Sequence, residues 1–269
     1  IKLSFVDLDS KGRVNLQHLE ELLTQNPKSL VSLMHANNEL GTAYGNEISF
    51  VAGVISTGPA TCGALNVHNT NLTYGSMTDQ QGNQYKTIVI GTQEWMAEDL
   101  KVSKYRNGDP IVSLNGAINS TWNAATSGAY CWQNNDSTNN ECPYGKLYNW
   151  YAVADSRNIC PSGWHIPSDS DFNTLITFLG GPEIAVDKLK SSDLWLNGGT
   201  NASGFSAFPG GQRVEDGSFM SLLNSAGFWS NTPSPYYPDN AGLYLSLMGQ
   251  AYVYPYSKLL GFSVRCLKN

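Results

Sequence analysis

The sequence predicts an α+β domain made of short strands and two helices, preceded by a small β-α-β fragment. Three observations carry this. Tyr85–Ile90 alternates and is rich in β-branched residues, as a half-buried strand is. Ser168 and Asp171 frame a helix start, and Phe172, Leu175, Ile176 and Leu179 follow at helical spacing. From residue 204 onward Gly and Pro punctuate short segments of strand length.

The 269 residues suffice for one large domain or two small ones. Only 14% are charged, well under the rough quarter of an ordinary globular domain. Asn, Ser and Thr supply the polarity instead, a surface that fits an extracellular or cell-surface domain. The net charge is −6 and no basic stripe appears, which argues against nucleic-acid binding. No apolar run approaches ~18 residues, so no membrane span is expected. The chain begins at Ile1 without a signal peptide and reads as a fragment or processed product. Cys62, Cys131, Cys142, Cys160 and Cys266 include no CxxC, and the four histidines do not cluster near them. A zinc site is therefore not expected; one or two disulfides in an exported protein are.

Residues 1–42 differ from the rest. Asn15 can cap a helix carrying Leu16, Leu19, Leu22 and Leu23, which Pro27 ends. Leu30–Met34 reads as a short buried strand. LVSLMHANNELGT, after a Gly turn and an LEELL helix, resembles cysteine desulfurases of the pyridoxal-phosphate aminotransferase superfamily. The resemblance implies a cofactor-ring contact from Asn37 or Asn38. No lysine in a family-like context and no mobile-loop cysteine motif follows, and a site assembled from separated segments does not survive as one of them. The fragment is expected to be non-functional and to hold no cofactor. Residues 43–76 read as a linker and entry strand, with Ile48–Ile55 as the strand and Gly58-Pro59 as its break.

The main domain is expected over 77–269. Asp79–Gly82 is a turn before the Tyr85–Ile90 strand. Glu94–Lys101 reads as a short helix on Trp95, Met96 and Leu100. Asn107–Pro110 is a turn and Ile111–Leu114 a further strand. Residues 115–146 form a long Asn-rich loop, which a Cys131–Cys142 bridge would brace. Leu147–Ala154 is apolar all round and reads as a buried helix or strand. The helix begun at Ser168 closes at Gly180, and a second starts near Pro182 with Ile184, Val186 and Leu189. Asp216-Gly217 signals a hairpin.

The tail, Phe228–Asn269, concentrates tyrosines among small polar residues: Tyr236, Tyr237, Tyr244, Tyr252, Tyr254 and Tyr256, with Asp239, Asn240, Ser246 and Ser257. Adaptable binding loops use this composition, because a large amphipathic ring gives contact area at low entropy cost. A tyrosine-rich hairpin filling its own fold is the alternative.

TIVIGTQEWMAEDL, YGKLYNWYAV, CPSGWHIPSDSDF, GFSAFPGGQR, FWSNT and GFSVRC, in this order, resemble the Fibrobacter succinogenes major paralogous domain. That domain is common in secreted and surface proteins of Bacteroidetes and related bacteria. The resemblance implies a C-type lectin-like fold, like that of formylglycine-generating enzymes, with two helices and a twisted antiparallel core. It also implies that GFSVRC returns beside GWHIP, with a Cys160–Cys266 disulfide. Glu94 stands where many relatives carry the cysteine of QCWM. The tail is further similar to the variable proteins of diversity-generating retroelements, in which template adenines are rewritten. Asparagine codons altered at both adenines yield Tyr, Ser, Asp, Ala, Pro, Leu or Asn, but never Trp, Met, Gln or Lys. On that likeness Trp229, Met248, Gln250 and Lys258 are fixed positions. Tyr236, Tyr237, Asp239, Asn240, Tyr244, Tyr252, Tyr254 and Tyr256 are candidates for variation.

Chemistry finds less support. No cysteine pair matches the copper-binding pair of formylglycine-generating enzymes. His165 reads as a hydrogen-bonded core residue, His68 falls in the linker, and His18 and His35 belong to the first fragment. Asp169 and Asp171 fit the first turn of a helix through its dipole. The acidic turn Asp136–Glu141 lacks regular calcium-ligand spacing. Trp132, Trp150, Trp164, Trp195 and Trp229 suit sugar stacking or, more ordinarily, burial. The expectation is a non-enzymatic domain with no metal, binding a protein or carbohydrate on a cell or phage-host surface through residues 234–257. A structural or adhesive module without a variable face is the alternative.

Overall fold

A computed structural model describes residues 67–269 except Asn240, together with His18 and Glu21. The chain divides into two compact units, Ile1–Thr57 and Gly58–Asn269. The β-α-β fragment with Asn37 and Asn38, the Ile48–Ile55 strand and Cys62 lie outside the described residues. His18 and Glu21 are helical, with His18 half-buried.

The second unit mixes helices with mostly antiparallel strands, an α+β architecture. Its first strands are β1 (Gly75–Thr78), β2 (Gln84–Ile90) and β3 (Gln93–Met96). The β1–β2 turn is built by buried Asp79. Its carboxylate accepts from the backbone N–H of Gln81 and Asn83 and from the Tyr85 hydroxyl at 2.7 Å. β3 corrects the helix expected over Glu94–Lys101. Trp95, Met96 and Leu100 are indeed apolar and fully buried, but β2 and the C-terminal strand offer ladder partners on both sides of β3. Pairing outweighs a weak helical pattern.

The region 115–146 is not one long loop. After β4 (Val112–Ser113), α1 (Asn119–Asn123) buries Trp122, and β5 (Ala129–Cys131) pairs in parallel with β4. A 3-10 turn at Gln133–Asn135 leads into α2 (Ser137–Tyr144), capped by Asp136. Asp136 thus serves as an N-cap in the turn considered for calcium. The Cys131–Cys142 brace does not form. Cys131 is a free thiol buried in β5, pushed up to about 12 by desolvation, while Cys142 is disulfide-bonded. Leu147–Ala154 is both alternatives in turn: β6 (Leu147–Tyr148), then α3 (Trp150–Val153) capped by Asn149.

β7 (Trp164–His165) precedes α4 (Asp169–Phe178), whose Ser168–Asp171 capping box is complete. Pro182 opens α5 (Pro182–Leu189). The Asp216-Gly217 turn joins β8 (Gln212–Arg213) to β9 (Phe219–Met220). The tail forms a three-stranded antiparallel sheet of β10 (Gly227–Pro233), β11 (Ala241–Leu247) and β12 (Ala251–Ser257), in that order.

The last strand, β13 (Leu267–Lys268), closes the unit. It inserts between β3 and β7 in a sheet ordered β1-β2-β3-β13-β7, pairing Leu267 with His165 and Trp95. The GFSVRC end therefore runs beside GWHIP, and Cys160 bonds Cys266 across 106 residues. Residues 67–76, read as the end of a linker, pack into this unit: Val67 and His68 are buried.

Candidate binding face

β11 alternates in the manner of a strand with two different faces. Leu243, Leu245 and Leu247 are buried, and Leu245 and Leu247 pack with α4 and α5 in one core. Gly242, Tyr244 and Ser246 point the other way. In the register with β12 they lie opposite Tyr256, Tyr254 and Tyr252. A one-residue slip would send every leucine to solvent, so the apolar side fixes the register. Burying each leucine is worth roughly 1.5–3 kcal/mol.

The tyrosine side is covered only over its inner half. Trp229 of β10, opposite Tyr244, is fully buried against Phe262 at 4.9 Å. The Tyr244 ring stacks on Phe262 at 4.3 Å with 12° between planes, and burial raises its phenol above the ordinary value. Gly242 lets the Trp150 indole pass: a Cβ there would lie 2.2 Å from Trp150 Cδ1. Beyond Trp150, Phe262 and Tyr244 the sheet continues for one more strand. Tyr252, Tyr254 and Tyr256 project from this edge strand with 38%, 47% and 50% of their surface exposed. Tyr252 and Tyr254 meet edge to face at 5.7 Å, and Tyr256 meets Tyr244 at 6.2 Å. Pro255, opposite Leu243, belongs to an edge strand, where a missing N–H is tolerated.

The β10–β11 loop carries the two most exposed tyrosines among the described residues, Tyr236 (79%) and Tyr237 (65%). Fully buried Ser234 organises it. Its hydroxyl accepts from the N–H groups of Tyr236 and Tyr237 at 3.3 and 3.2 Å, and its own N–H donates to Ala241. Lys258, nearly buried over the Trp150 ring, donates to the Pro238 carbonyl at 2.5 Å. Asp239 is exposed, and Asn240 lies outside the described residues. Ser257 is half-buried, its hydroxyl turned to the Leu259 N–H at 3.3 Å, and Ser246 is half-buried beside Tyr252.

The proposed residues therefore fall into two sets. Tyr236, Tyr237, Tyr252, Tyr254 and Tyr256 are offered to solvent, whereas Tyr244, Ser246 and Ser257 are partly absorbed by the fold. Of the positions read as fixed, Trp229 and Lys258 are buried, Gln250 bonds Glu183 of α5, and Met248 stands 71% exposed at the β11–β12 turn. Trp150, Trp164 and Trp195 are buried and Trp132 half-buried. His165 is half-buried, not core, with Nδ1 2.8 Å from Asn269 Oδ1. His68 is buried, its ring between Glu98 and Ser206. Among the described residues no cluster of three His, Cys, Asp or Glu is placed to hold a metal. Sequence reading missed Ser234 and Gly242, whose roles depend on what the fold lays beside them.

Residues 88–268 match the family model described as the Fibrobacter succinogenes major domain. No curated protein and no solved structure matches the chain.

Proposed function

The chain belongs to the Fibrobacter succinogenes major domain family, and on that premise we propose that it is a non-enzymatic ligand-binding domain of a surface or secreted protein. The ligand, a protein or a glycan, docks on the tyrosine face. One observation carries the reading: five tyrosines stand exposed on one edge strand and the loop beside it, while the opposite side of the same sheet is anchored by leucines. An exposed aromatic patch is informative in a way that a single exposed apolar residue is not. The rings supply area, and their hydroxyls and Asp239 supply direction.

Tyr252→Ala/Tyr254→Ala tests it. The double variant is expected to lose ligand capture while its unfolding free energy from urea titration changes by about 0.5 kcal/mol or less. A loss of several kcal/mol would make these rings structural and end the proposal. The finer reading is a lectin-like receptor diversified by a retroelement. A near-copy of the tail's coding sequence beside a reverse transcriptase supports it; a genome without one excludes it. Met248 favours the rival, an adhesive module without a variable face, because a residue that rewriting of an asparagine codon cannot produce sits at the exposed tip of this sheet.

A further inference from the structure

A cleft of about 400 Å³ opens beside α3, and none of the edge-strand tyrosines lines it. Trp150 and Ile166 line its apolar part. Ser156, Asn158, His165 and Asn231 line its polar part. Two backbone irregularities aim side chains here. β10 carries a bulge between Trp229 and Pro233, within which Asn231 leaves the ladder and its N–H donates to Pro167 instead. Bulges re-aim side chains and are frequent beside binding sites. Asn158 holds a left-handed φ of 59°, a conformation asparagine tolerates better than most residues.

Several polar groups facing the cleft have hydrogen-bonding capacity to spare. Asn158 Oδ1 accepts from the Cys160 N–H, and Asn231 Oδ1 lies 3.4 Å from the Thr232 hydroxyl. Among the described residues neither amide nitrogen has a protein acceptor. His165 Nδ1 lies 2.8 Å from the side-chain Oδ1 of Asn269, and its Nε2 lies 3.8 Å from the Asp171 carboxylate. Asp155 also lines the cleft, its carboxylate accepting a bidentate bond from Arg157 at 2.9 and 2.7 Å. The rim is two carboxamides, a hydroxyl, an imidazole and a carboxylate already paired with an arginine. Set against an indole and an isoleucine, it matches a ligand with one apolar face and a perimeter of hydroxyls. The volume lies at the low end for small-molecule pockets, roughly 300–1,000 Å³.

We propose that this cleft binds one or two units of a neutral saccharide, with Trp150 and Ile166 under the ring and Asn158, His165 and Asn231 bonding its hydroxyls. No exposed tyrosine lines the site, although Trp150 also packs against Gly242 of the tyrosine sheet. The test uses the whole chain titrated with cellobiose, N,N′-diacetylchitobiose, mannobiose and lactose, read by saturation-transfer NMR. At least one of them is expected to bind with a Kd on the order of 1 mM or lower. Asn231→Ala and His165→Ala each weaken that binding about tenfold, as loss of a hydrogen bond does. Ser156→Trp, at an exposed position on the rim, fills the cleft and abolishes binding with an unchanged Tm. Tyr254→Ala leaves sugar binding intact. Failure of all four sugars to bind at about 10 mM overturns the proposal. So does binding that survives Ser156→Trp, or binding that Tyr254→Ala removes.

Discussion

Arg265 is fully buried with Asp99, its Nε 2.7 Å from the carboxylate, and its other nitrogens donate to the carbonyls of Phe205 and Ser206. The guanidinium also faces the rings of Phe205, Phe208 and Phe228. A buried pair of this kind is costly to break from one side. Desolvation pushes Asp99 up to about 6 despite the arginine, so its ionised form costs stability in full above that pH. The cost is relieved as pH falls from about 6 toward the ordinary 3.8. His68 works with the opposite sign. Burial holds its imidazole below the ordinary 6.5 although Glu98 lies 3.3 Å away. As pH falls through 6.5 the unfolded chain takes up a proton that the folded chain refuses, and stability is lost. His68→Gln removes that loss and keeps the relief at Asp99. Its Tm relative to the native chain is therefore expected to rise between about pH 7 and about pH 5. Parallel profiles would show that His68 does not titrate in this window.

At the scale of elements, α4 shows how far local chemistry reaches. Ser168 accepts from the Asp171 N–H at 3.2 Å, and Asp171 returns the bond to the Ser168 N–H at 2.8 Å. Ser168→Ala is expected to cost about 1 kcal/mol, and to lower Tm by about 2–4 °C in a unit of this size. Differential scanning calorimetry checks it. The β10–β12 sheet depends on contacts between elements instead. Gly242→Ala drives a methyl into the Trp150 indole, whose Nε1–H donates to the Ser230 carbonyl at 3.0 Å in the bulge. The expected cost is about 1–3 kcal/mol by urea titration, with the cleft disturbed as well. A neutral result would mean that Trp150 can move aside.

Across the whole molecule, the C-terminus is what closes the fold. β13 sits between β3 and β7, and the Cys160–Cys266 bond links its start to the segment before β7. A cross-link spanning 106 residues restricts the unfolded chain strongly. Cys160→Ala/Cys266→Ala is expected to lose about 4–5 kcal/mol in the chain-entropy account. Chemical denaturation measures the loss, and a change under about 1 kcal/mol would show that packing around β13 suffices. Such a bond fits the oxidising surroundings expected of a surface or secreted protein.

The sequence by itself determined the features whose physics is local. The Ser168–Asp171 cap, the α4 stripe, the β2 alternation and the Asp216-Gly217 turn need only neighbours within a few positions. The clustering of tyrosines in 234–257 is likewise legible, since composition needs no coordinates. Tertiary structure decided everything that depends on distant partners. The start of Glu94–Lys101 became a strand, β3, because β2 and β13 flank it. Cys131 stayed a thiol because Cys142, its expected partner, is disulfide-bonded elsewhere. Glu98, Asp99 and Arg265 look like surface charges in sequence, yet they meet in the core. The tyrosines divide into packed and exposed only because Phe262 and Trp150, from elsewhere in the chain, cover one strand of the sheet and not the next. The cleft escaped sequence reading for the same reason: a ladder bulge and a left-handed asparagine bring its polar rim together from segments far apart in the chain.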